Sequence, residues 1–402
     1  MDIGVTTNGA ASLLKSKGLE KENYGIVAFS HLRWNFVWQR PQQFLSRFAQ
    51  EHPVLFIEEP DFRLNDGDEP VLAVENAASN VTVATLHLPA SLRGSDAVGP
   101  LMLHYARLAI ETVNHYGQFD NPLLWYYSPM EAAWSLGEIE GRAVVYDCMD
   151  ELSQFAGAPR ELIDNERRLM QEADIVFTGG YELYLKKSKQ HPNVHFFGCG
   201  VEYDHFAKAQ SQATAIPDDI RHLAKPIVGW FGVVDERVDY SLLKRMAELR
   251  PDWSFVLVGP VVKVDPNTLP QAPNLHWPGG RDYKVLPDYC AAYDVCMMCF
   301  ALNEATQYIN PTKALEYLAT GKPVVSTPVS DVVRQYADTV AIASTPEDFV
   351  ACIERALNAP DEIMIQRGIE KARQASWEAT VERMQELIDE AVGTAAAPAF
   401  MS

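Results

Sequence analysis

The sequence predicts an α/β protein made of two parallel sheets that follow one another along the chain. Short apolar runs alternate with segments of helical periodicity throughout the 402 residues, which is typical of βαβ units. The pattern loosens over residues 202–219, where Ala, Gln, Asp and His replace large apolar side chains, and then begins again. We therefore expect two domains of ordinary size, each built on its own sheet.

The apolar runs predict the strands, and the helical patterns predict the segments between them. In the first series we expect strands at residues 25–29, 54–58, 81–85, 123–127, 142–146, 174–178 and 194–198, with helices at 41–50, 100–116, 160–173 and 181–190. In the second series we expect strands at 227–231, 254–258, 275–277, 295–300, 323–326 and 340–343, with helices at 240–249, 286–293, 311–320, 346–358, 362–375 and 377–392. Ligands of such sheets bind beyond the carboxyl ends of the strands, so function is expected in the loops that follow strands.

The domain boundaries follow from the same pattern. We expect a loose leader at 1–22, a first α/β domain at 23–205, a linker at 206–219, a second α/β domain at 220–374, a C-terminal helix at 375–392 that crosses back to the first domain, and a tail at 393–402. Two sheets that face each other leave a cleft between the domains, and such clefts are preferred ligand sites.

The composition excludes several classes of function. The formal net charge is −20, from 34 basic and 54 acidic residues, whereas a nucleic-acid-binding protein needs a basic surface. No run of 18 apolar residues predicts a membrane span, and the first twenty residues lack the apolar core of a signal peptide. We therefore expect a cytoplasmic protein, and six scattered cysteines agree with reduced thiols in that compartment.

No metal or cofactor is expected either. Cys296 and Cys299 form C-x-x-C inside an apolar strand without a second pair nearby, so buried thiols are favoured over a zinc site. Asp66 and Asp68 resemble a D-x-D metal motif only in their letters, since no apolar strand precedes them.

The segment 310–326 predicts a phosphate site at the start of a helix. Asn310 is a favoured N-cap, Pro311 suits the first helical position, and Gly321 suits the residue just past the end. The first turn would then offer free N–H groups and the positive end of the helix dipole, together with the Thr312 hydroxyl and the Lys313 charge. An ordinary capped surface helix has the same pattern, so the assignment depends on neighbouring loops.

A second cation follows the strand predicted at 227–231. Gly232 allows the backbone to approach a ligand closely, and Arg237 places a fixed positive charge at the carboxyl end of the strand. With Lys313 it supplies two cations for a diphosphate. The alternative is that Arg237 pairs with Asp235 or Asp239.

Two further places suit the rest of a nucleotide. Glu316 lies three residues past Lys313, where its carboxylate can accept hydrogen bonds from ribose or sugar hydroxyls. Arg281 and Tyr283 lie in a Gly-Gly loop after another strand, which suits a nucleotide base, although an ordinary tight turn is the favoured explanation of this loop.

The loop after the first strand combines aromatic and cationic side chains, which suit a polyhydroxylated or phosphorylated ligand. Its candidate residues are His31, Arg33, Trp34, Trp38 and Arg40. The alternatives are that the tryptophans pack the loop down and that the histidine is structural. No G-x-G-x-x-G follows this strand, which argues against a dinucleotide oxidoreductase.

Carboxylates follow another strand of the first series. Asp147, Asp150 and Glu151 are expected near the cleft, and Asp150 is the candidate for contact with a second substrate. Carboxylates at strand ends also cap helices, which is the alternative.

Together these residues resemble the GT-B glycosyltransferases, specifically glycosyltransferase family 4 and the similar family 1-like proteins. In the second half the matching segments are 231–237, 274–279, 286–289, 294–300 and 313–326. In the first half His-Leu-Arg-Trp at 31–34 and Trp-Gln-Arg-Pro at 38–41 resemble bacterial cell-surface polysaccharide enzymes. The likeness covers residues 24–392 and is stronger in the second half.

The resemblance implies two Rossmann-like domains that face a central cleft, and a hexosyltransferase. A nucleotide-diphosphate sugar with UDP or GDP would bind the second domain, and a glycan, lipid-linked or small-molecule acceptor would bind the first. Transfer would retain the anomeric configuration, need no metal and serve cell-surface polysaccharide biosynthesis. The implied catalytic residues are Arg237, Lys313 and His31; the donor-binding residues are Gly232, Arg281, Tyr283, Asn310, Pro311, Thr312 and Glu316; the acceptor-binding residues are Arg33, Trp34, Trp38, Arg40 and Asp150.

The chain departs from the family pattern in its acidic motif. Glu316 matches the second Glu of E-x7-E, which binds ribose in the family, but Tyr308 occupies the position of the first Glu. Glu304 or Asn310 would have to replace it.

The chain also departs in its basic pair. Arg237 matches the Lys of that pair, whereas Val233 occupies the Arg position, so Lys313 would have to restore the lost charge.

Two other functions remain open from the sequence. A GT-B sugar-nucleotide epimerase shares the architecture, and a degenerate protein would bind sugar nucleotide or scaffold a polysaccharide complex without catalysis. A lipid-linked acceptor implies peripheral membrane contact, for which the Lys-rich helix predicted at 181–190 is the candidate, although a solvated helix face is the favoured explanation of its lysines.

Overall fold

The computed structural model describes residues 24–155, 157–304 and 306–395. The leader predicted at 1–22 and residues 396–402 of the predicted tail lie outside this range. The first sheet has nine strands: β1 Ile26–Ser30, β2 Val54–Glu58, β3 Asp61–Leu64, β4 Val71–Ala78, β5 Val81–Pro89, β6 Leu123–Tyr126, β7 Ala143–Cys148, β8 Ile175–Thr178 and β9 Val194–Phe196. Their order is β3-β5-β2-β1-β6-β7-β8-β9, with β4 antiparallel on β5 and the other pairs parallel.

The second sheet has six parallel strands in the order β12-β11-β10-β13-β14-β15. They are β10 Ile227–Phe231, β11 Ser254–Val258, β12 Leu275–Gly279, β13 Val295–Met298, β14 Val324–Ser326 and β15 Ala341–Ile342. The predicted α/β class with two successive sheets is therefore confirmed; the second sheet is parallel, and the first is parallel except for the antiparallel strand β4.

Helices connect the strands of both sheets. They are α1 Arg40–Phe48, α2 Val98–Val113, α3 Pro129–Ser135, α4 Glu161–Glu172, α5 Tyr181–Lys187, α6 Tyr203–Ala207, α7 Tyr240–Leu249, α8 Leu286–Ala292, α9 Lys313–Ala319, α10 Ser330–Tyr336, α11 Pro346–Asn358, α12 Glu362–Gln374 and α13 Trp377–Ala395. None of the described helices is both long enough and apolar enough to cross a lipid bilayer.

Several elements lack the pattern that sequence reasoning depends on. Strand β4 is half-buried to exposed along its whole length, and only its first half, residues 71–74, is an apolar run. Helices α3 and α10, of seven residues each, were also not among the predicted elements.

The stretch predicted as a linker is folded against the second sheet. Helix α6, residues 203–207, continues into this stretch, and Phe206 and Ala209 within it are buried in the core of the second half. The few apolar residues that pack into the core were not recognised in this polar stretch, because a helix of five residues shows no clear apolar period.

The last helix packs on the first half of the chain. Trp377, Met384 and Ile388 of α13 are buried in the core beneath the first sheet, and the Trp377 ring meets Phe44 of α1 edge to face at 5.3 Å. Folding α13 there buries a row of apolar side chains that would otherwise face water.

The two halves also touch on one side of the cleft. Asp331 of α10 accepts a hydrogen bond from the backbone N–H of Tyr181 at 2.7 Å, at the start of α5. Arg334 pairs with Glu182 at 2.6 Å and its guanidinium lies 4.6 Å from the Tyr181 ring centre.

Candidate functional site

A cavity of about 1660 Å³ lies between the carboxyl edges of the two sheets. Its walls come from the loops after β1, β7, β10, β11 and β12 and from the start of α9. Thirteen of the predicted site residues line it: Trp34, Trp38, Arg40, Asp150, Gly232, Arg237, Arg281, Tyr283, Asn310, Pro311, Thr312, Lys313 and Glu316. His31 and Arg33 are not among the lining residues.

Two glycines let the loops of the second sheet come together. Gly232 has a φ of +147°, and a Cβ there would collide with Cε of Lys313. A Cβ on Gly259, after β11, would overlap the carbonyl oxygen of Gly232. Sequence reasoning missed Gly259, although its signal was present, since it follows a buried strand as Gly232 does.

Lys313 and Glu316 place opposite charges side by side on α9. The Nζ of Lys313 lies 5.4 Å from the centre of the Phe231 ring and 4.0 Å from Oε2 of Glu316. Glu316 is 8% exposed, and among the described residues its Oε2 has no hydrogen-bond partner. Burial raises the pKa of Glu316 and the Lys313 charge opposes that rise. The carboxylate therefore has an oxygen available to a ligand that can donate a hydrogen bond.

The start of α9 differs from the prediction. The helix begins at Lys313 with Thr312 as its N-cap, so Asn310 is not the N-cap and Pro311 is not the first helical residue. Asn310 instead ties the two halves together, because its Nδ2 donates to the carbonyl of Gly179 at 3.2 Å and its carbonyl accepts from the Cys199 thiol at 3.2 Å. Gly321, at the other end, has a φ of +69° as expected for the residue past the helix.

Arg237 makes the intramolecular pair that the sequence left open. Its Nε and Nη2 donate to the two oxygens of Asp235 at 3.0 and 2.7 Å. Burial opposes the charge, but the Asp235 carboxylate raises the pKa of Arg237, and Asp150 adds to this effect. Within the described part of the chain Nη1 of Arg237 has no hydrogen bond, so part of the guanidinium remains available.

Asp150 brings a carboxylate of the first half to the same cavity. Burial raises its pKa to about 6, and the Arg237 and Arg40 charges oppose that rise. Asp150 therefore titrates near neutral pH, which suits a group that exchanges a proton with a sugar hydroxyl.

The Arg40 guanidinium makes its hydrogen bonds inside the protein. Its Nε and Nη2 donate to Asp147 at 3.0 and 2.8 Å, and its Nη1 donates to the carbonyl of Phe197 at 2.7 Å. Both charged side chains are almost fully buried. Although Arg40 borders the cavity, its donors are used inside the protein.

The two tryptophans of the first loop have different surroundings. Trp34 is 4% exposed and packs edge to face against Phe56, as the packing alternative expected. Trp38 is 38% exposed and, with Phe36 at 53%, presents an aromatic surface at the mouth of the cavity. Arg33 lies aside and pairs with Glu58 at 2.7 Å.

His31 lies in the first half, near a lysine of the second. Burial and the Lys263 charge lower its pKa to about 4, so the imidazole is neutral at physiological pH. Its Nδ1 is buried and, among the described residues, unpartnered.

The base segment, residues 279–284, which is predicted to hold the nucleotide base, is fixed by contacts with other side chains of the protein. Arg281 donates to Asp219 at 2.6 Å and to the Tyr289 hydroxyl at 2.5 Å. The Tyr283 ring stacks on His205 with centroids 4.7 Å apart and an interplanar angle of 17°.

The cavity also has a wall that sequence reasoning missed. Glu202, Tyr203 and His205, at the start of α6, line it from the last residues of the domain predicted at 23–205, just before the predicted linker. No motif marks these residues, since the polar composition is that of an ordinary connection.

The two residues proposed to replace the missing first Glu, Glu304 and Asn310, differ in whether they line the cavity. Tyr308 and Glu304 do not line the cavity, whereas Asn310 does, with its Oδ1 buried and unpartnered among the described residues. In the same part of the chain no group of three or more His, Cys, Asp and Glu side chains converges as a metal site. Asp66 and Asp68 accept backbone hydrogen bonds from Ser91 and Asn65.

Comparison with known proteins agrees with this geometry. Residues 225–359 match the family described as Glycosyl transferases group 1. The putative teichuronic acid biosynthesis glycosyltransferase TuaH of Bacillus subtilis (strain 168) is 30% identical over 58% of this chain, which spans 63% of the length of that relative.

Solved structures share the architecture at low identity. Sucrose-phosphate synthase from Thermosynechococcus elongatus has a TM-score of 0.69 at 17% identity, over 92% of this chain and 100% of its own. The E. coli trehalose-6-phosphate structure with bound UDP-2-fluoro glucose has a TM-score of 0.63 at 14% identity, over 91% of this chain and 98% of its own. The predicted resemblance is thereby confirmed: the chain has the GT-B fold, and residues 225–359 match the family described as Glycosyl transferases group 1.

Proposed function

We propose that this protein is a glycosyltransferase that moves a hexose from a nucleotide-diphosphate sugar to an acceptor hydroxyl. The observation that carries the proposal is that Lys313, Arg237 and Glu316, from two loops of the second half, open into one cavity between the halves. Negative charge grows on the diphosphate as the sugar leaves, and fixed cations stabilise that charge most when water is excluded.

The donor would lie along the second half. Its diphosphate contacts Lys313, Arg237 and the Thr312 hydroxyl beside Pro311, while the Gly232 backbone allows close approach. Glu316 accepts hydrogen bonds from the ribose, and the base lies at Arg281 and Tyr283. Asn310 contacts the sugar in place of the missing Glu. These two cations neutralise the diphosphate in our proposal, so activity is expected to persist in EDTA.

The base of the donor is proposed to be uracil. The E. coli structure that shares this fold is titled as bound with a UDP sugar, which makes UDP donors the first to test and GDP donors the second.

The acceptor would lie along the first half. Trp38 and Phe36 present aromatic faces to its sugar rings, and Asp150 contacts the reacting hydroxyl. The name of the B. subtilis relative points to a cell-wall polysaccharide, so we propose a glycan or lipid-linked acceptor of that class, with peripheral contact to the membrane that carries it. His31 and Arg33 do not line the cavity, so we assign neither of them a direct contact with the acceptor. Retention of configuration is proposed because the chain resembles glycosyltransferase family 4, for which retention is the expectation.

A donor screen tests the proposal. UDP-glucose, UDP-N-acetylglucosamine and GDP-mannose are incubated with the full chain, with and without a glycan acceptor, and release of nucleoside diphosphate is measured. Release that depends on the acceptor supports transfer, and NMR of the product gives its anomeric configuration. Isomerised sugar nucleotide without acceptor would indicate an epimerase instead. Nucleotide binding without turnover would indicate the degenerate binding protein.

A further inference from the structure

The start of α6 forms a wall of the cavity and contacts the base segment through His205 and Tyr283. Its His205 ring stacks on Tyr283, and His205 Nε2 lies 3.0 Å from the Tyr283 carbonyl oxygen. Arg47 of α1 lies on the other side, with Nη2 3.7 Å from a carboxylate oxygen of Glu202. Glu202 is thus held between the two halves of the protein, with its side chain 35% exposed and lining the cavity.

Glu202 and Glu316 come from two helices that pack against each other. Glu202 directly precedes α6, α6 packs against α9, which carries Glu316, and both carboxylates line the cavity. Burial raises the pKa of Tyr283 most strongly, and the carboxylates of Glu316 and Glu202 both add to that rise. Two carboxylates from distant parts of the chain therefore lie on neighbouring helices at one side of the cavity.

The cavity consequently has a cationic part and an acidic part. Lys313 and Arg237 supply the cations, while Glu202 and Glu316 supply oxygens, of which Glu316 Oε2 is buried and unpartnered among the described residues. A nucleoside diphosphate has a matching order of groups: an anionic diphosphate and, next to it, a neutral ribose with two neighbouring hydroxyl donors. Like charge keeps phosphate away from the acidic part.

We propose that Glu202 binds the ribose cis-diol together with Glu316, so that the start of α6 determines selectivity for ribonucleotides. Each carboxylate accepts a hydrogen bond from one of the two hydroxyls, 2′ and 3′. This inference rests on the proposed function, since it assumes that the cavity binds a nucleoside diphosphate.

The test measures dissociation constants by calorimetry for UDP, 2′-deoxy-UDP and 3′-deoxy-UDP on the full chain. Wild type is expected to bind each deoxy nucleotide about tenfold or more weakly than UDP, as for a lost hydrogen bond to a charged group. Glu202→Gln should weaken UDP by about tenfold and abolish the penalty for one deoxy analogue, while Glu316→Gln abolishes the penalty for the other.

Glu378→Gln is the matched control, because Glu378 also pairs with Arg47, at 2.7 Å, and its side chain is 67% exposed. It should leave the ratio of UDP to deoxy-UDP affinities unchanged. Equal weakening of all three nucleotides by Glu202→Gln, or the same change of ratio in the control, would overturn the inference and leave the transferase intact. Failure of the wild type to bind UDP, GDP or ADP would overturn the proposed function and the inference with it.

Discussion

The Nζ of Lys313 lies 4.0 Å from Oε2 of Glu316, three residues further along a helix of seven. This distance is too long for a hydrogen bond, so the two charges share a cavity without satisfying each other. Among the described residues neither the ammonium nor this carboxylate oxygen has a hydrogen-bond partner. A ligand with both an anionic group and a hydroxyl donor fits such a pair.

Replacing Lys313 tests the cationic part of the cavity. Lys313→Ala should lower kcat by about 10²–10³-fold, the typical loss for one group that stabilises charge in the transition state. Its side chain is partly exposed, so the melting temperature should change little. The matched control is Lys244→Ala, an exposed lysine of α7, which should retain wild-type kinetics. Unchanged turnover in Lys313→Ala would remove Lys313 from the mechanism.

Replacing Gly259 tests the close approach of two loops. Gly259→Ala forces a Cβ against the Gly232 carbonyl, so the loop that lies beneath Lys313 must move. We expect a loss of about 1–3 kcal/mol in the free energy of unfolding and a higher KM for the donor. Denaturant unfolding and steady-state kinetics measure the two effects.

Gly99→Ala serves as the comparison for that variant. A Cβ on Gly99, in the first turn of α2, meets Trp134 at an ordinary 3.6 Å, so this change should alter the free energy of unfolding by less than about 1 kcal/mol. If Gly259→Ala proves as stable as Gly99→Ala, the predicted collision is absent.

Glu131 should make stability depend on pH. Burial, with the neighbouring Glu59 carboxylate, raises the pKa of Glu131 from 4.5 to about 8. The neutral form is favoured in the fold, whereas the unfolded chain ionises above 4.5, so the contribution to stability is full below 4.5 and is lost as pH rises to 8. Glu131→Gln cannot ionise, so the difference in free energy of unfolding between variant and wild type should shift in favour of the variant by on the order of 4 kcal/mol between pH 4.5 and pH 8. Urea unfolding at pH 4.5, 6 and 8 checks the slope; a constant difference would contradict it.

Arg40 is expected to act on stability more than on binding. Arg40→Ala leaves the buried Asp147 carboxylate unpaired, which should cost about 3–5 kcal/mol in the free energy of unfolding. Arg33→Ala breaks a partly exposed pair with Glu58 and should cost about 1 kcal/mol or less. A folded Arg40→Ala protein with wild-type stability and a raised acceptor KM would return Arg40 to the acceptor site.

Much of the second half was predictable because its elements have strong local patterns. Strands β10 and β11 and helices α7 and α11 begin and end at the predicted residues. A fully buried strand appears in the sequence as a continuous apolar run, and an amphipathic helix appears as apolar residues three and four positions apart. Gly232, Lys313 and Glu316 were found because loops after parallel strands meet at one edge. Strand β4 was missed because it is half-buried to exposed and its apolar run ends after four residues, whereas helix α10 has no sequence signal that separates it from the equally short helices that were predicted.

The sequence by itself determined the two parallel sheets and the loops that carry Lys313, Arg237, Glu316 and Asp150. Only the tertiary structure decided which polar side chains remain available to a ligand. Arg40 pairs with the buried Asp147, and the Asn310 amide bonds to the Gly179 carbonyl across the two halves. Glu202 lines the cavity although no sequence pattern singled it out. The physical reason is that secondary structure depends on residues a few positions apart, whereas pairing of charges and closure of a cavity depend on residues more than a hundred positions apart.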